Sequence, residues 1–204
     1  MRITYLGHAC FLIEGDKISV VTDPFKDIGY DVERVSADYC TVSHSHFDHD
    51  NVAGVDVKEI VKGPHPKFLA IDSYHDERLG SLRGKNTIFK FEIDGITFCH
   101  LGDLGEYFSQ DLVEEIGKVD VLFIPVGGTY TIDGKEAVKY AEAISAKITI
   151  PMHYSTPKSN IDVSDARPFL KRMAGVEKVG VAVEIGDYLK EEENSVLVFN
   201  TDNL

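Results

Sequence analysis

Short apolar runs separated by polar turns occupy the first part of the chain. Three of these runs have the length and the β-branched content of strands. They are residues 2–6, 10–14 and 17–22. The turn Glu14-Gly15-Asp16 separates the last two runs, and the third ends at Asp23-Pro24, because proline cannot donate to a strand ladder. The pattern therefore predicts three consecutive antiparallel strands.

Apolar runs of strand length recur towards the middle of the chain. They are residues 39–42, 59–62, 87–93 and 96–101. Asp94-Gly95 separates the last two runs and is the strongest hairpin signal in the sequence. Residues 50–55 are predicted to begin a helix that Asp48 or Asp50 caps. The polar stretches 26–38 and 67–85 are predicted to be loops.

The second half of the chain alternates between helical patterns and buried-strand patterns. Asp111 with Glu114, and Asp133 with Glu136, have the spacing of a capping box and predict two helix starts. The predicted helices are residues 111–116, a helix that begins at residue 133, and one from Ser164 or Asp165 to Ala174. The predicted strands are residues 119–124, 147–151, 178–183, 184–189 and 195–200.

The order of these elements predicts the fold class. Strands dominate both halves of the chain, and each half has strands, then a helix, then a strand. We predict an α+β fold, a four-layer αββα sandwich in which two mixed β-sheets pack face to face with helices on the outer faces. The whole chain, residues 1–204, is expected to be one domain with similar halves of residues 1–94 and 95–204.

Composition narrows the classes of function. The 204 residues are 43% hydrophobic and 27% charged, which is enough for one buried core. The formal charge of -13, from 21 basic and 34 acidic residues, argues against a nucleic-acid partner, because phosphate binding needs clustered Lys and Arg. We find no membrane-spanning apolar run and no secretory segment, so a cytoplasmic location is expected. The three dispersed cysteines are expected to be buried, reduced thiols.

A dense group of metal-binding residue types follows the predicted strand at residues 39–42. His44, His46, Asp48 and His49 lie within six positions. A hydrophobic core has little use for such a group, because burying polar side chains without partners costs several kcal/mol. Imidazole nitrogen and carboxylate oxygen are ligands that zinc accepts. The motif therefore predicts a metal site, with a polar loop that holds chance histidines as the alternative.

Other candidate ligands follow later strands. Asp103 and His153 each come directly after an apolar strand and beside Gly or Pro. His75 lies in a polar loop and is a third candidate. His100 is either a hydrogen-bond partner near the site or a core histidine bonded to a carbonyl. His8, in a turn between the first two strands, either contacts the site or has a structural role.

The order of these residues resembles that of the metallo-β-lactamase superfamily of metal-dependent hydrolases. Several short phrases also resemble the branch that contains the ascorbate-phosphate lactonase and N-acyl-phosphatidylethanolamine phospholipase D. These phrases are Leu6-Gly7-His8-Ala9, Asp23-Pro24, His100-Leu101-Gly102-Asp103-Leu104-Gly105, Pro125-Val126-Gly127-Gly128-Thr129-Tyr130 and Pro151-Met152-His153-Tyr154. The likeness extends from Leu6 to Tyr154, but the chain lacks the extra segments of those two enzymes.

The resemblance implies a ligand set. It implies two divalent metal ions, with zinc expected and manganese or iron as alternatives. The implied ligands are His44, His46 and His75 for one ion and Asp48, His49 and His153 for the other, with Asp103 between the two. Asp23 is implied to be a structural residue that supports the ligand loop.

The implied activity is hydrolysis by a hydroxide that bridges the metals. The expected substrate is a small, anionic ester, lactone or phosphodiester, because two ions, two aspartates and a hydroxide leave a positive charge. Candidate catalytic residues are Asp48, Asp103, His8 and Tyr130. Arg78, Arg83 and Lys158 are candidate anion-binding residues, and Tyr154 is a further pocket residue. A di-iron redox protein and a catalytically silent metal-binding protein are the alternatives.

Overall fold

Two β-sheets and three α-helices make up the computed structural model, which describes residues 1–201. The strands are β1 Arg2–Gly7, β2 Cys10–Glu14, β3 Ser19–Thr22, β4 Ser36–Thr41, β5 Asp56–Val61, β6 Phe68–Tyr74, β7 Lys85–Ile93, β8 Ile96–His100, β9 Val121–Pro125, β10 Ile148–Met152, β11 Val176–Val179, β12 Ala182–Glu184 and β13 Ser195–Phe199. The helices are α1 Gln110–Ile116, α2 Gly134–Ile144 and α3 Arg167–Leu170.

Both sheets are mixed, as the sequence predicted. The first has six strands in the order β12-β1-β2-β3-β4-β5, and the second has seven in the order β11-β13-β10-β9-β8-β7-β6. The pairs β1 with β2 and β2 with β3 are antiparallel, which confirms the prediction for the start of the chain. The pairs β8 with β9 and β9 with β10 are parallel, so these strands end at the same edge of the second sheet.

An apolar layer fills the space between the two sheets. The rings of Phe11 in β2 and Phe123 in β9 lie 4.6 Å apart, centroid to centroid, across this layer. Ile3 and Ile13 of the first sheet and Ile148 of the second are fully buried in the same cluster. Alternate side chains of each strand face this layer, because successive residues of a strand point to opposite faces. The sandwich prediction is therefore confirmed.

The two outer faces are covered differently. All three helices contribute to an apolar cluster on the outer face of the seven-stranded sheet, where Ala137 and Phe169 are fully buried. On the other side, Phe25, Ile28 and Val32 form a cluster with residues of the six-stranded sheet. These three residues lie in a loop that contains no α-helix within the described part of the chain. One of the two predicted helical layers is thus an irregular loop.

Five predicted elements differ in the structure, and two of them lie in the first half of the chain. Residues 68–74, predicted as loop, form strand β6, which pairs with β7 from Phe68 to Tyr74 and lies at a sheet edge. Its alternation is hard to recognise because an edge strand is half solvated. The helix predicted from residues 50–55 is only the short 3₁₀ helix Val52–Gly54. Asp50 bonds the Lys62 ammonium (2.8 Å) and does not cap a helix.

The C-terminal region has less regular structure than predicted. The last helix covers only Arg167–Leu170, because Pro168 would break a helix that began at residue 164. Asp165 instead accepts the backbone N–H of Arg167 (2.9 Å). The strand predicted at residues 178–183 is divided between β11 and β12, which belong to different sheets. The strand predicted at residues 184–189 is absent from the described chain, and the 3₁₀ helix Tyr188–Lys190 lies there. No helix in residues 1–201 has the length and apolar character needed to cross a membrane.

One of the two predicted capping pairs is wrong and the other is half correct. Ser109 caps α1 by accepting the Leu112 N–H (3.2 Å), so Asp111 is not the cap. Asp133 does cap α2, since it accepts the N–H groups of Lys135 and Glu136, both at 2.9 Å. Glu136 does not reach back to the cap as a capping box requires, because it accepts the Phe108 N–H (2.6 Å). The three cysteines are free and buried, as expected.

Candidate metal centre

Loops at one edge of the sandwich bring the predicted ligands together. His44, His46, Asp48 and His49 follow β4, whereas His75 follows β6. Asp103 follows β8, and His153 follows β10. Because the strands before Asp103 and His153 are parallel neighbours of β9, their ends lie at one edge. The ligand loop of the first sheet therefore faces the ligand loops of the second.

Asp103 is the centre of the cluster. Its Oδ2 lies 3.1 Å from His75 Nε2 and 3.2 Å from both His49 Nε2 and His153 Nε2. His44 Nε2 lies 3.8 Å from the same oxygen. The cluster contains three groups of donors, and within each group all the coordinating atoms lie within 4.8 Å of one another. They are His8 with Asp48, His49 and His153; His44 with His46 and His75; and His44 with His49 and Asp103.

Hydrogen bonds at the far side of three rings determine which nitrogen faces Asp103. His49 Nδ1 donates to Asp23 Oδ2 (2.9 Å), and His75 Nδ1 donates to the Tyr130 carbonyl (2.9 Å). His44 Nδ1 donates to Ser43 Oγ (2.9 Å), because that hydroxyl itself donates to Asp23 (2.5 Å). In the neutral form of each ring, which is the form that binds a metal ion, Nε2 is thus left with a lone pair for coordination.

The inner atoms of the cluster lack hydrogen-bond partners. His44 Nε2, His49 Nε2, His153 Nε2 and Asp103 Oδ1 are buried and unbonded, as is His8 Nε2. A buried polar atom without a partner costs about 1–3 kcal/mol. Lone pairs of nitrogen and oxygen that face one another are stabilised by a cation between them. The donor set of imidazoles and carboxylates fits a borderline divalent metal such as zinc.

Burial and mutual charge shift the pKa values of the cluster. Burial lowers the pKa of His44 to about 3, which favours the neutral imidazole. Burial would raise the pKa of Asp103, but His153 and His49 hold it well below its usual range. Burial alone would lower the pKa of His49, yet Asp103 and Asp23 raise it well above its usual value. Asp103 is therefore a carboxylate, the form that binds metal.

Two buried side chains form hydrogen bonds that hold the candidate ligands and their backbone in place. Asp23 bonds His49 and also accepts both the backbone N–H of Ser43 (2.8 Å) and its hydroxyl. Asn86 accepts the N–H of Asp103 (2.9 Å) and donates to the Leu101 carbonyl (2.9 Å). The resemblance to the superfamily implied the first role for Asp23. Asn86 was missed, since an Asn in a Gly-Lys-Asn turn carries no signal of a distant contact.

Comparison with known proteins identifies the family. A family model described as "Beta-lactamase superfamily domain" matches residues 2–153. A crystal structure from Thermotoga maritima, described as a proposed Zn-dependent hydrolase of the metallo-β-lactamase superfamily, is 38% identical, covers 97% of each chain and has a TM-score of 0.79. The chain belongs to the metallo-β-lactamase superfamily.

Two curated relatives carry the name "UPF0173 metal-dependent hydrolase". The relative from Carboxydothermus hydrogenoformans is 32% identical over 76% of this chain and 85% of its own length. The relative from Methanospirillum hungatei is 33% identical over 81% of this chain and 88% of its own length. This metallo-β-lactamase superfamily member is accordingly a metal-dependent hydrolase.

A cleft of about 520 Å³ opens onto the metal centre of this superfamily member. Its lining residues are His46, Phe47, Asp48, His75, Arg83, Asp103, Tyr130, Asn160, Ile161 and Asp162. Sequence reasoning missed Phe47 and residues 160–162, because exposed loop residues carry no periodic signal. Residues 160–162 lie in the loop between β10 and α3, whose base is closed by the Ser155 N–H to Ser164 carbonyl bond (3.0 Å).

The structure separates the remaining candidates. Arg83 lines the cleft, and its guanidinium carbon lies 5.6 Å from the centroid of the Tyr130 ring. Arg78 lies 3.8 Å from Glu77, and Lys158 lines a different pocket beside Tyr30. Tyr154 is buried and is not among the lining residues described for the cleft. Of the three cationic candidates, only Arg83 has access to a substrate in this cleft.

His100 is the core histidine of the two alternatives. Its Nε2 donates to the Ala9 carbonyl (2.9 Å), and its Nδ1 accepts the Gly102 N–H (3.2 Å). Its ring packs on Phe11 and Phe123 between the sheets. Both ring nitrogens therefore have partners away from the ligand cluster, whereas His75 contacts Asp103 directly.

Proposed function

We propose that this hydrolase uses two divalent metal ions to cleave an ester, lactone or phosphodiester bond of a small, anionic substrate. The observation that carries the proposal is the convergence of unbonded His Nε2 atoms on Asp103 at the floor of a cleft. Zinc is the expected metal, and manganese or iron would accept the same ligands.

Two of the three groups of donors support two metal positions. His44, His46 and His75 would hold one ion, whereas Asp48, His49 and His153 would hold the other, with Asp103 between them. When bound, such a pair supplies Lewis acidity and activates water as a nucleophile at neutral pH. Seven residues from both sheets thus prepare one reaction centre.

Side chains at the floor and wall of the cleft have distinct roles. Asp48 lines the cleft, and its carboxylate is available to accept a proton from attacking water. Asp103 orients the imidazoles that surround it. Tyr130 is 37% exposed, lines the same cleft, and offers its hydroxyl as a donor to the leaving oxygen. Its carbonyl holds His75, so it also positions a ligand.

Arg83 supports the preference for an anion. It is the one Arg or Lys among the lining residues described for the cleft. Contact with the Tyr130 ring holds the guanidinium at the wall, and a guanidinium pairs well with a carboxylate or phosphate. The anionic part of the substrate would bind there, with the scissile bond above Asp103.

The test combines a substrate screen with one substitution. Zinc-loaded protein is assayed on esters, lactones and phosphodiesters, each supplied as an anionic and a neutral analogue. We expect metal-dependent hydrolysis of an anionic member. We also expect Arg83→Gln to raise its KM about 10-fold or more with little change in kcat, since a charge-assisted hydrogen bond contributes about 1.5–3 kcal/mol. The neutral analogue should be unaffected.

Arg78→Gln is the matched control, because Arg78 lies in the same loop but outside the cleft. Equal effects of the two substitutions would contradict the role of Arg83. Equal turnover of neutral and anionic analogues would contradict the substrate class. Metal binding without hydrolysis of any substrate would favour the catalytically silent alternative, and oxidation chemistry with bound iron would favour the redox alternative.

The finer family position is also a proposal. The phrases around His8, Asp103, Tyr130 and His153 support a place near the ascorbate-phosphate lactonase and N-acyl-phosphatidylethanolamine phospholipase D. The substrates of those enzymes are not assigned to this chain, because it lacks their extra segments. A cytoplasmic location likewise stays a prediction from the sequence.

A further inference from the structure

His8 lies against the metal centre in a backbone conformation that few residues adopt. It follows β1 in the turn before β2, with a φ of 55°, after Gly7 with a φ of 122°. A left-handed conformation of a non-glycine residue costs about 1–3 kcal/mol and is retained where neighbouring structure imposes it. The His8 carbonyl accepts the hydroxyl of Tyr5 (3.2 Å) and the backbone N–H of His153 (3.1 Å). The turn is therefore tied to a ligand loop.

This backbone places the imidazole of His8 among three proposed ligands. Its ring centroid lies 4.2 Å from that of His153 and 4.9 Å from that of His49. The residue is 3% exposed, and its Nε2 is buried without a hydrogen-bond partner. Coordinating atoms of His8, Asp48, His49 and His153 all lie within 4.8 Å of one another. His8 thus belongs to the donor group by position.

The distance from His8 to Asp48 distinguishes a direct hydrogen bond from coordination of one metal ion by both residues. His8 Nε2 lies 3.4 Å from Asp48 Oδ2, and the pair is not aligned as a hydrogen bond. Hydrogen bonds of this type are normally about 2.7–3.2 Å long. Two ligands of one tetrahedral zinc ion, each about 2.0–2.1 Å from the metal, lie about 3.3–3.4 Å apart. The spacing therefore suits shared coordination.

We propose that His8 is a further ligand of the ion held by Asp48, His49 and His153. The inference rests on the metal pair proposed above and assigns unequal roles to its members. Counted without Asp103, the ion at His8 would have four protein ligands, which is a complete tetrahedral set, and the ion at His44, His46 and His75 would have three. Of the described residues that line the cleft, two belong to the three-histidine group and only Asp48 to the other.

The different numbers of protein ligands predict different affinities for the two metal ions. Metal sites closed by four protein ligands are typical of structural ions, whereas catalytic sites keep an open position. The ion at His8 would therefore bind tightly and exchange slowly. The ion facing the cleft would exchange more readily and would contact the substrate.

Metal binding and histidine NMR test the proposal without an activity assay. Protein labelled with ¹⁵N in its histidines is titrated with Zn²⁺, and the imidazole nitrogens are observed. We expect the His8 Nε2 signal to take a metal-bound chemical shift with the first equivalent. His8→Asn removes and so assigns that signal, and Asn tolerates the left-handed backbone. The His8→Asn substitution should weaken binding of the more tightly bound zinc ion by more than ~100-fold. Loss of a residue that only hydrogen-bonds a metal ligand typically weakens metal binding by ~10–100-fold.

A second variant and a control separate the outcomes. His8→Gln can donate to Asp48 but replaces the imidazole, so we expect it to be as defective as His8→Asn. Restored zinc affinity in His8→Gln would overturn the proposal, as would a His8 signal that stays unshifted while zinc binds. His65→Asn, outside the cluster, should match the wild type. Zinc binding with an unshifted His8 leaves the hydrolase proposal intact, whereas failure of the substrate screen leaves this measurement unaffected.

Discussion

At the scale of single residues, the buried carboxylate of Asp23 fixes the orientation of two proposed ligands. Asp23 has a φ of 36° and no exposed surface, and it bonds residues 20 and 26 positions away in the sequence. Through Ser43 it reaches His44, and directly it holds His49. One carboxylate thus orients an imidazole from each donor group.

Asp23→Asn tests this arrangement. An amide of the same size replaces one acceptor oxygen with a donor, so either His49 or Ser43 loses its acceptor. We expect the zinc dissociation constant to rise about 10–100-fold, as for other partners of ligating histidines, measured by competition with a chromogenic chelator. Asp38→Asn, at a carboxylate bonded to Ser19 and remote from the cluster, is the control. An affinity equal to that of the control would contradict the role.

At the scale of elements, the connection from β6 to β7 is a rigid part of the site. Asp76 accepts four backbone N–H groups at 2.8–3.0 Å within this connection. Their donors are Arg78, Gly80, Leu82 and Arg83. The N–H of His75 donates to the Gly84 carbonyl (3.1 Å) and closes the loop at its base. One short loop therefore positions both a metal ligand and the proposed anion-binding arginine.

Asp76→Ala should loosen this loop without unfolding the sheets. Four backbone N–H groups lose their acceptor, so we expect their amide hydrogens to exchange at least ~10-fold faster, because local opening becomes easier. The KM for an anionic substrate should rise in parallel, since Arg83 is no longer held. Hydrogen–deuterium exchange followed by mass spectrometry measures the first effect. Asp72→Ala, at an exposed acid of β6, is the control, and equal exchange in the two variants would refute the argument.

At the scale of the whole molecule, the proposed metal centre joins the two sheets. The loops after β3 and β4 supply residues from the six-stranded sheet, and the loops after β6, β8 and β10 supply residues from the other. His49 Nε2 and Asp103 Oδ2 lie 3.2 Å apart across the boundary between the two sheets. The proposed ions would therefore add a further link between the two sheets to the apolar layer that they share.

Metal removal should lower the stability of the whole fold. A ligand at 100 times its dissociation constant stabilises the native state by about 2.7 kcal/mol. For a domain of this size, that corresponds to about 5–11 °C in Tm. Thermal unfolding followed by circular dichroism, in zinc buffer and after treatment with a chelator, measures the difference. Magnesium at the same concentration is the control, and an unchanged Tm after zinc removal would contradict the linkage.

Local patterns were sufficient to predict much of this architecture. The candidate ligands in residues 44–49 are recognisable because they lie within one loop, and the candidates Asp103 and His153 because each directly follows an apolar strand. The antiparallel start and the paired sheets followed from the runs that form β1, β2 and β3. These features depend on neighbours in sequence, which a single sequence displays.

Features that depend on distant contacts were not predictable. The bond between His75 and the Tyr130 carbonyl joins residues 55 positions apart, and nothing near either residue announces it. Strand β6 was read as loop because its solvated face carries residues such as Asp72. The loop that replaces an outer helical layer is held by burial of Ile28 and Val32, which a polar average over residues 26–38 conceals.

The loop of residues 155–164, between β10 and α3, supplies a wall of the cleft at residues 160–162 but none of the proposed metal ligands. Under the proposed function, substitutions in this loop would change the substrate preference without changing the proposed metal ligands. A duplicated gene could acquire a preference for a different substrate by exchanging this one short loop, with no change to the histidines. Loop grafting between relatives is accordingly the direct route to redesigning this enzyme.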